Sequence, residues 1–291
     1  SWRRYSYDNF TGIRIMGVFQ NNLLAGAAAA ATAGGGAFYP YQIEQSCRFD
    51  EADSSRLGRT FGTPSSTTAF TISFWIKIPN IPGYSQIFSK DNGYAGGGAA
   101  IVLEDDLGGG AGTVNIMSMY GMAGSSGGNT GANTYPPNQF TDSTGWFHIH
   151  YKADTSKSGM SGNNAKVVMH INGVLAVFQN TNEPSGDWTR FNDASAHSIG
   201  NGASGTQGDK YLAEFIFLDG QYEDYTSFGE TKNGVWIPKD PSGLTFGNNG
   251  FHLKFENASD LGNDSSGNNN DFTAVNMGAD HQVLDSPTFG S

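Results

Sequence analysis

From Tyr41 onward, hydrophobic and polar residues alternate with a period of two. Phe70, Ile72, Phe74, Ile76 and Ile78 interleave with Thr71, Ser73, Trp75 and Lys77. Successive side chains of a strand face opposite ways, so the first set predicts one core face. Pro79 predicts the end of that strand. Further strands are expected at Ser85–Ser89, Ala99–Glu104, Thr113–Met119, Trp146–Tyr151, Lys166–Ile171, Val174–Gln179 and Tyr211–Leu218. Asn172-Gly173 supplies the two positive-φ residues of a type I′ turn and predicts a hairpin between its flanking strands. Tyr211, Ala213, Phe215 and Phe217 are expected on one face, with Leu212, Glu214, Ile216 and Leu218 on the other. Both sets are largely apolar, which predicts a central strand.

Before this pattern lies a segment of a different kind. Residues 1–40 carry Trp2, Tyr5, Tyr7 and Phe10, followed by the alanine- and glycine-rich run from Ala25 to Gly36. Such a run buries too little area to fill a core. It reads as an N-terminal arm that docks on a neighbour, or as a leader. Residues 41–220 hold the strand pattern. Residues 221–291 form an extension packing on or beyond it, with strands expected at Val235–Pro238 and Phe251–Phe255 and a short helix or turn at Tyr222–Tyr225. Many short strands at turn-length spacing predict an all-β sandwich of two antiparallel sheets.

Composition agrees with that reading. The chain has 41 glycines in 291 residues, 13% aromatic residues and only 15% charged ones, a balance suited to strands joined by small turns rather than to disorder. The net charge of −11 argues against nucleic acid and against anionic membranes as partners. No stretch is long and apolar enough for a membrane-spanning helix, so no insertion is expected. Cys47 is the single cysteine, so no internal disulfide can form.

Several segments, in order, look familiar: Cys47-Arg-Phe-Asp-Glu-Ala-Asp53, Phe70-Thr-Ile-Ser-Phe-Trp-Ile-Lys77, Gln86-Ile-Phe-Ser-Lys90, Gly145-Trp-Phe-His-Ile-His-Tyr151, Val168-Met-His-Ile-Asn-Gly-Val-Leu175 and Tyr211-Leu-Ala-Glu-Phe-Ile-Phe-Leu-Asp-Gly220. The series resembles the concanavalin A-like lectin/glucanase superfamily in its laminin G-like form. The flanks Tyr41–Phe49, Phe228-Gly-Glu-Thr231, Gly234–Lys239, Gly250–Phe255 and Leu261–Phe272 resemble those of bacteriophage virion proteins carrying such a domain, of the tail-fibre-like or structural kind. The resemblance implies a jelly roll with an N-terminal arm and a C-terminal β extension. It also implies a virion-surface location, on tail or capsid, after assembly in the host cytoplasm. Other virion proteins are the implied partners, with a homo-oligomer, a trimer by analogy.

The residues leave three functions to weigh. Glucanases of the superfamily carry Glu-x-Asp-x-x-Glu on one strand, which places two carboxylates on one face for acid/base work. That motif is missing here. Glu104-Asp-Asp106 reads as a turn and Glu214 stands alone on its strand, so no enzyme is expected. Recognition of a host-surface polysaccharide needs ring platforms beside polar groups. Asn92, Tyr94, Tyr135, Asp187 and Trp188 are the candidates for it. The alternative is a structural capsid or tail decoration protein whose sandwich and arms make only protein–protein contacts. Calcium is the one cofactor considered, with Asp91 and Asn92, Asp50 and Asp53, or Asp264, Asn268 and Asp271 as ligands; the same residues also make turns for local reasons. His148 and His150 share a strand face, with His170 on the next strand. Packing is the expected role for these three.

Overall fold

In the computed structural model, residues 38–79, 84–90, 99–104, 116–120, 132–133, 142–159, 161–176, 191–200 and 208–288 are described. Among them, two antiparallel sheets face each other. The larger holds eight strands: β1 (Ser46–Phe49), β3 (Ala69–Lys77), β8 (Trp146–Asp154), β9 (Val167–Ile171), β10 (Val174–Leu175), β12 (Lys210–Asp219), β15 (Phe251–Leu253) and β17 (Gln282–Val283). Their order is β10-β9-β8-β3-β12-β1-β17, with β15 also paired to β12. The second sheet runs β16-β2-β11-β4-β5-β6-β7. Its strands are β2 (Arg56–Thr60), β4 (Tyr84–Lys90), β5 (Ala100–Glu104), β6 (Ile116–Tyr120), β7 (Ala132–Asn133), β11 (Ala196–Gly200) and β16 (Thr273–Val275). A separate hairpin joins β13 (Gly229–Lys232) to β14 (Val235–Pro238).

The core lies between the sheets. Phe70, Ile72, Phe74 and Ile76 of β3, with Phe147, Ile149 and Tyr151 of β8, meet Phe88, Ile101 and Ile199 of the opposite sheet. Phe74 stacks on Phe215 with ring centroids 5.0 Å apart and an interplanar angle of 5°. His197 enters this core from β11, stacked 3.8 Å from Phe61. The expected hairpin is present: Asn172 and Gly173 have φ of 49° and 76°, and β9 pairs with β10 across them.

Three features differ from the sequence expectation. First, β3 and β8 are buried on both faces, not one. The polar-looking set of β3 is covered by residues after Gly220, a contact that local periodicity does not encode. Second, β12 does not alternate throughout. A register shift lies between Ala213 and Ile216, and Glu214 has φ of 47°. The bulge puts Leu212, Phe215 and Phe217 in the main core while Tyr211 and Ala213 pack on the other side. Third, the residues after Gly220 supply strands to both sheets: β15 and β17 to the larger, β16 to the second. Gly220 is therefore no boundary of the sandwich. The short helix or turn expected at Tyr222–Tyr225 lies slightly later, as a 3-10 turn at Tyr225–Ser227, N-capped by Asp224. Residues 1–37, and with them nearly all of the arm, lie outside the described residues.

Candidate functional site

The outer face of the larger sheet carries an unusual buried layer. On β8 the core-facing set alternates with Trp146, His148, His150 and Lys152. Antiparallel pairing sets Trp75 opposite His148, Ser73 opposite His150 and His170 opposite His150. All three histidines are buried. The cover comes from residues 222–238. Tyr225 stacks on His170 at 4.0 Å, and Phe228 lies 5.5 Å from His150. Trp236 of β14 is wedged between Gly173 at the hairpin turn and Gly229 of β13. A Cβ at either glycine would overlap its ring, so the glycine of the type I′ turn serves both the turn and this contact.

Hydrogen bonding assigns the protons of the layer. His150 Nε2 lies 3.1 Å from the Glu223 carbonyl oxygen, which can only accept. Its Nδ1 is therefore the acceptor for His170 Nδ1–H, 3.3 Å away. His170 Nε2 lies 3.0 Å from Asn163 Oδ1; with the His170 Nδ1–H directed at His150, a neutral His170 requires the Asn163 amide to be turned so that its NH2 donates. His148 Nε2 meets Ser73 Oγ at 2.9 Å. Burial, with a smaller contribution from the neighbouring His170, lowers the pKa of His148 to about 3. Burial likewise lowers His170 to about 4 and holds His150 well below its ordinary value. At neutral pH this layer is uncharged imidazole.

Glu214 sits beside the layer. The bulge of β12 aims its side chain outward, where Oε1 accepts from Tyr41 Oη at 3.0 Å and Oε2 meets His252 Nε2 at 2.6 Å. A positive φ at a buried non-glycine residue is costly and often marks a constrained site. The cavity lined by Tyr41, Ser73, Trp75, His148 and Glu214, however, is about 10 Å³, room for one water. The cluster ties the segment before β1 to the sheet and has no space for a substrate. No partner for Glu214 was legible along the chain, because Tyr41 and His252 are 173 and 38 residues away.

Of the residues singled out from sequence, Asp91, Asn92, Tyr94, Tyr135, Asp187 and Trp188 lie outside the described residues. Asp264, Asn268 and Asp271 are described, and they form a hydrogen-bonded knot. Asp264 Oδ1 accepts from the backbone of His252 at 2.8 Å and Ser266 at 2.9 Å. Its Oδ2 accepts from Ser266 Oγ at 2.7 Å and the Asn270 backbone at 2.9 Å. Asp271 Oδ1 accepts from the Asp264 backbone at 2.8 Å. Asn268 turns its amide nitrogen, not its oxygen, toward the carbonyls of Gly247 and Gly250. The oxygens of Asp264 are thus spent on internal donors, and the loop does not present a calcium cradle. Replacement of Asp264 by alanine strands the buried N–H groups of His252 and Asn270. A loss of about 2–4 kcal/mol is expected, read as a lower urea midpoint at unchanged slope.

No family model and no curated protein matches the sequence. Solved structures do match. A candidate carbohydrate-binding protein from Bacteroides ovatus ATCC 8483 superposes with a TM-score of 0.54 at 12% identity, over 82% of this chain and 61% of that one. Domains LG4–5 of the mouse laminin α1 chain give 0.41 at 13% identity, over 64% and 44%. The enzymatically active domain of tailspike protein 2 from bacteriophage CBA120 gives 0.43 at 12%, over 65% and 27%. This chain spans 61% of the length of the first of these proteins. At such identities the likeness is one of fold. The chain is an antiparallel jelly-roll β-sandwich.

Proposed function

We propose that the chain is a non-enzymatic carbohydrate-recognition module of a virion surface protein, a phage tail fibre, spike or similar, that attaches to host-surface polysaccharide. The observation that carries this reading is the shared jelly roll with a candidate carbohydrate-binding protein over 82% of the chain. The virion setting rests on the flanking segments that resemble phage structural proteins. The absence of an enzyme is supported by the Glu214 cluster, whose polar groups are spent on one another around a cavity too small for a sugar. Partners are then other virion proteins, and the module acts as part of an oligomer on the particle.

A second reading, a decoration protein making only protein contacts, is favoured by the aromatic and alanine-rich composition of residues 1–40. A glycan array probed with the full chain separates the two. Binding to polysaccharide of the host envelope is expected, weakened by Trp188→Ala or Tyr135→Ala. A flat array together with co-purification on capsid or tail proteins would overturn the recognition reading in favour of decoration.

A further inference from the structure

A cleft of about 530 Å³ opens beside β16, at the end of the second sheet. Its volume falls in the range of ligand sites. Two chain segments meet where the Phe272 backbone donates to the Gly262 carbonyl at 2.9 Å. From that point they part. β16 follows β2, and the turn Ala258–Leu261 leaves the sheet, so the space between them stays open. Leu261 and Phe272 lie buried at its base, and Ala258, Ala274 and Met277 complete the apolar floor.

The rim is polar and free. Ser259, Asp260, Asp271 and Thr273 line the cleft and are exposed. Among the described residues, the Asp260 carboxylate and the Ser259 and Thr273 hydroxyls make no hydrogen bond, and Asp271 uses only one oxygen, on the Asp264 backbone. Among the described residues β16 pairs on one edge alone, with β2, so its other edge offers main-chain donors and acceptors. Two carboxylates and no cationic side chain line the space.

From this arrangement we propose that the cleft is a saccharide subsite selective for uncharged sugars. The inference rests on the carbohydrate-recognition reading above and gives it a place and a ligand class. Free carboxylate oxygens accept from neighbouring hydroxyls, free hydroxyls complete the pattern, and the apolar floor receives the C–H face of a ring. The same carboxylates repel uronic or sialic acid units. An apolar peptide strand would pair with the edge of β16 but leave both carboxylates without donors, whereas a hydroxyl-rich ligand supplies them.

The test is a titration of the full chain, with its amides assigned by NMR, using dextran, mannan and galactan oligosaccharides. Polygalacturonate and polysialate fragments serve as acidic counterparts. A neutral oligosaccharide is expected to shift the amides of Thr273, Ala274 and Gly278. Asp260→Ala is expected to weaken binding about tenfold. Ala274→Trp, which fills the cleft from an exposed position, should weaken it by about tenfold or more while the melting temperature stays unchanged. Equal binding of the acidic fragments would overturn the ligand class. Sugar-induced shifts confined to residues 91–98, 134–141 and 177–190, untouched by both variants, would overturn this site and leave the recognition reading intact. No binding of any sugar would overturn both.

Discussion

Trp236→Ala is expected to destabilise the protein by about 3–5 kcal/mol, the range for truncating a large buried aromatic side chain. Trp236 is 8% exposed and closes the histidine layer from outside. Its ring lies 5.8 Å from His148 and 5.7 Å from Tyr225. The two glycines that flank it cannot fill the space it leaves, so the cavity persists and water enters. A second effect follows from that water. With desolvation relieved, the pKa of His170 should rise from about 4 toward the ordinary histidine value near 6.5. Chemical denaturation reads the first effect and the pH dependence of the His170 ring signals reads the second. A variant that lost stability without moving His170 would mean that β13 and β14 cover the layer without sealing it.

The alternation of β3 and β8, and the Asn-Gly turn after β9, were legible because they depend on nearest neighbours along the chain. The sandwich followed from them. β2 and β11 were not legible. Arg56-Leu-Gly-Arg-Thr60 and Ala196-His-Ser-Ile-Gly200 each offer little apolar alternation, and they become strands through pairing with each other and with β4 and β16. The burial of His148, His150 and Lys152 was also hidden. It is imposed by residues about 70 positions further on, such as Asp224, which meets Lys152 Nζ at 3.2 Å. Glu214 read as an ordinary outward residue because a bulge has no fixed sequence signature. The Asx-rich loop Asp264–Asp271 was visible as a turn-former, yet composition cannot tell a carboxylate that holds a cation from one that holds its own backbone. The cleft beside β16 left no trace in the sequence, since its rim combines Ser259 and Asp260 of one turn with residues 271–274, which lead into β16. The aromatic and amide positions chosen for sugar contact fall in segments outside the described residues.

Acidification from pH 7.5 to pH 5 is expected to remove about 6–8 kcal/mol of stability, comparable to the whole stability of a typical domain. Four of the six histidines are responsible. Burial lowers His148 to about 3 and His170 and His197 to about 4, and it holds His150 well below its usual value. In the unfolded chain each returns to about 6.5. As pH falls, the unfolded state therefore takes up protons first. Stability is complete above about pH 7, declines as pH passes 6.5, and keeps declining until the folded-state values near 3–4 are reached. Each such histidine costs about 2 kcal/mol by pH 5. The neighbouring His170 and His148 lower the pKa of His150 further, as Lys152 does to a smaller extent, while the Glu223 carbonyl that His150 meets opposes the shift. Urea midpoints at half-unit steps of pH measure the effect. The variant His197→Phe isolates one contributor, because a phenyl ring fits the stack on Phe61 and cannot take a proton. Its profile should be shallower by about one proton between pH 6.5 and 5. A wild-type profile flat across that interval would mean that water reaches these rings in the folded protein. The polar layer would then be a solvated surface, and the segment 222–238 a loose cover over it.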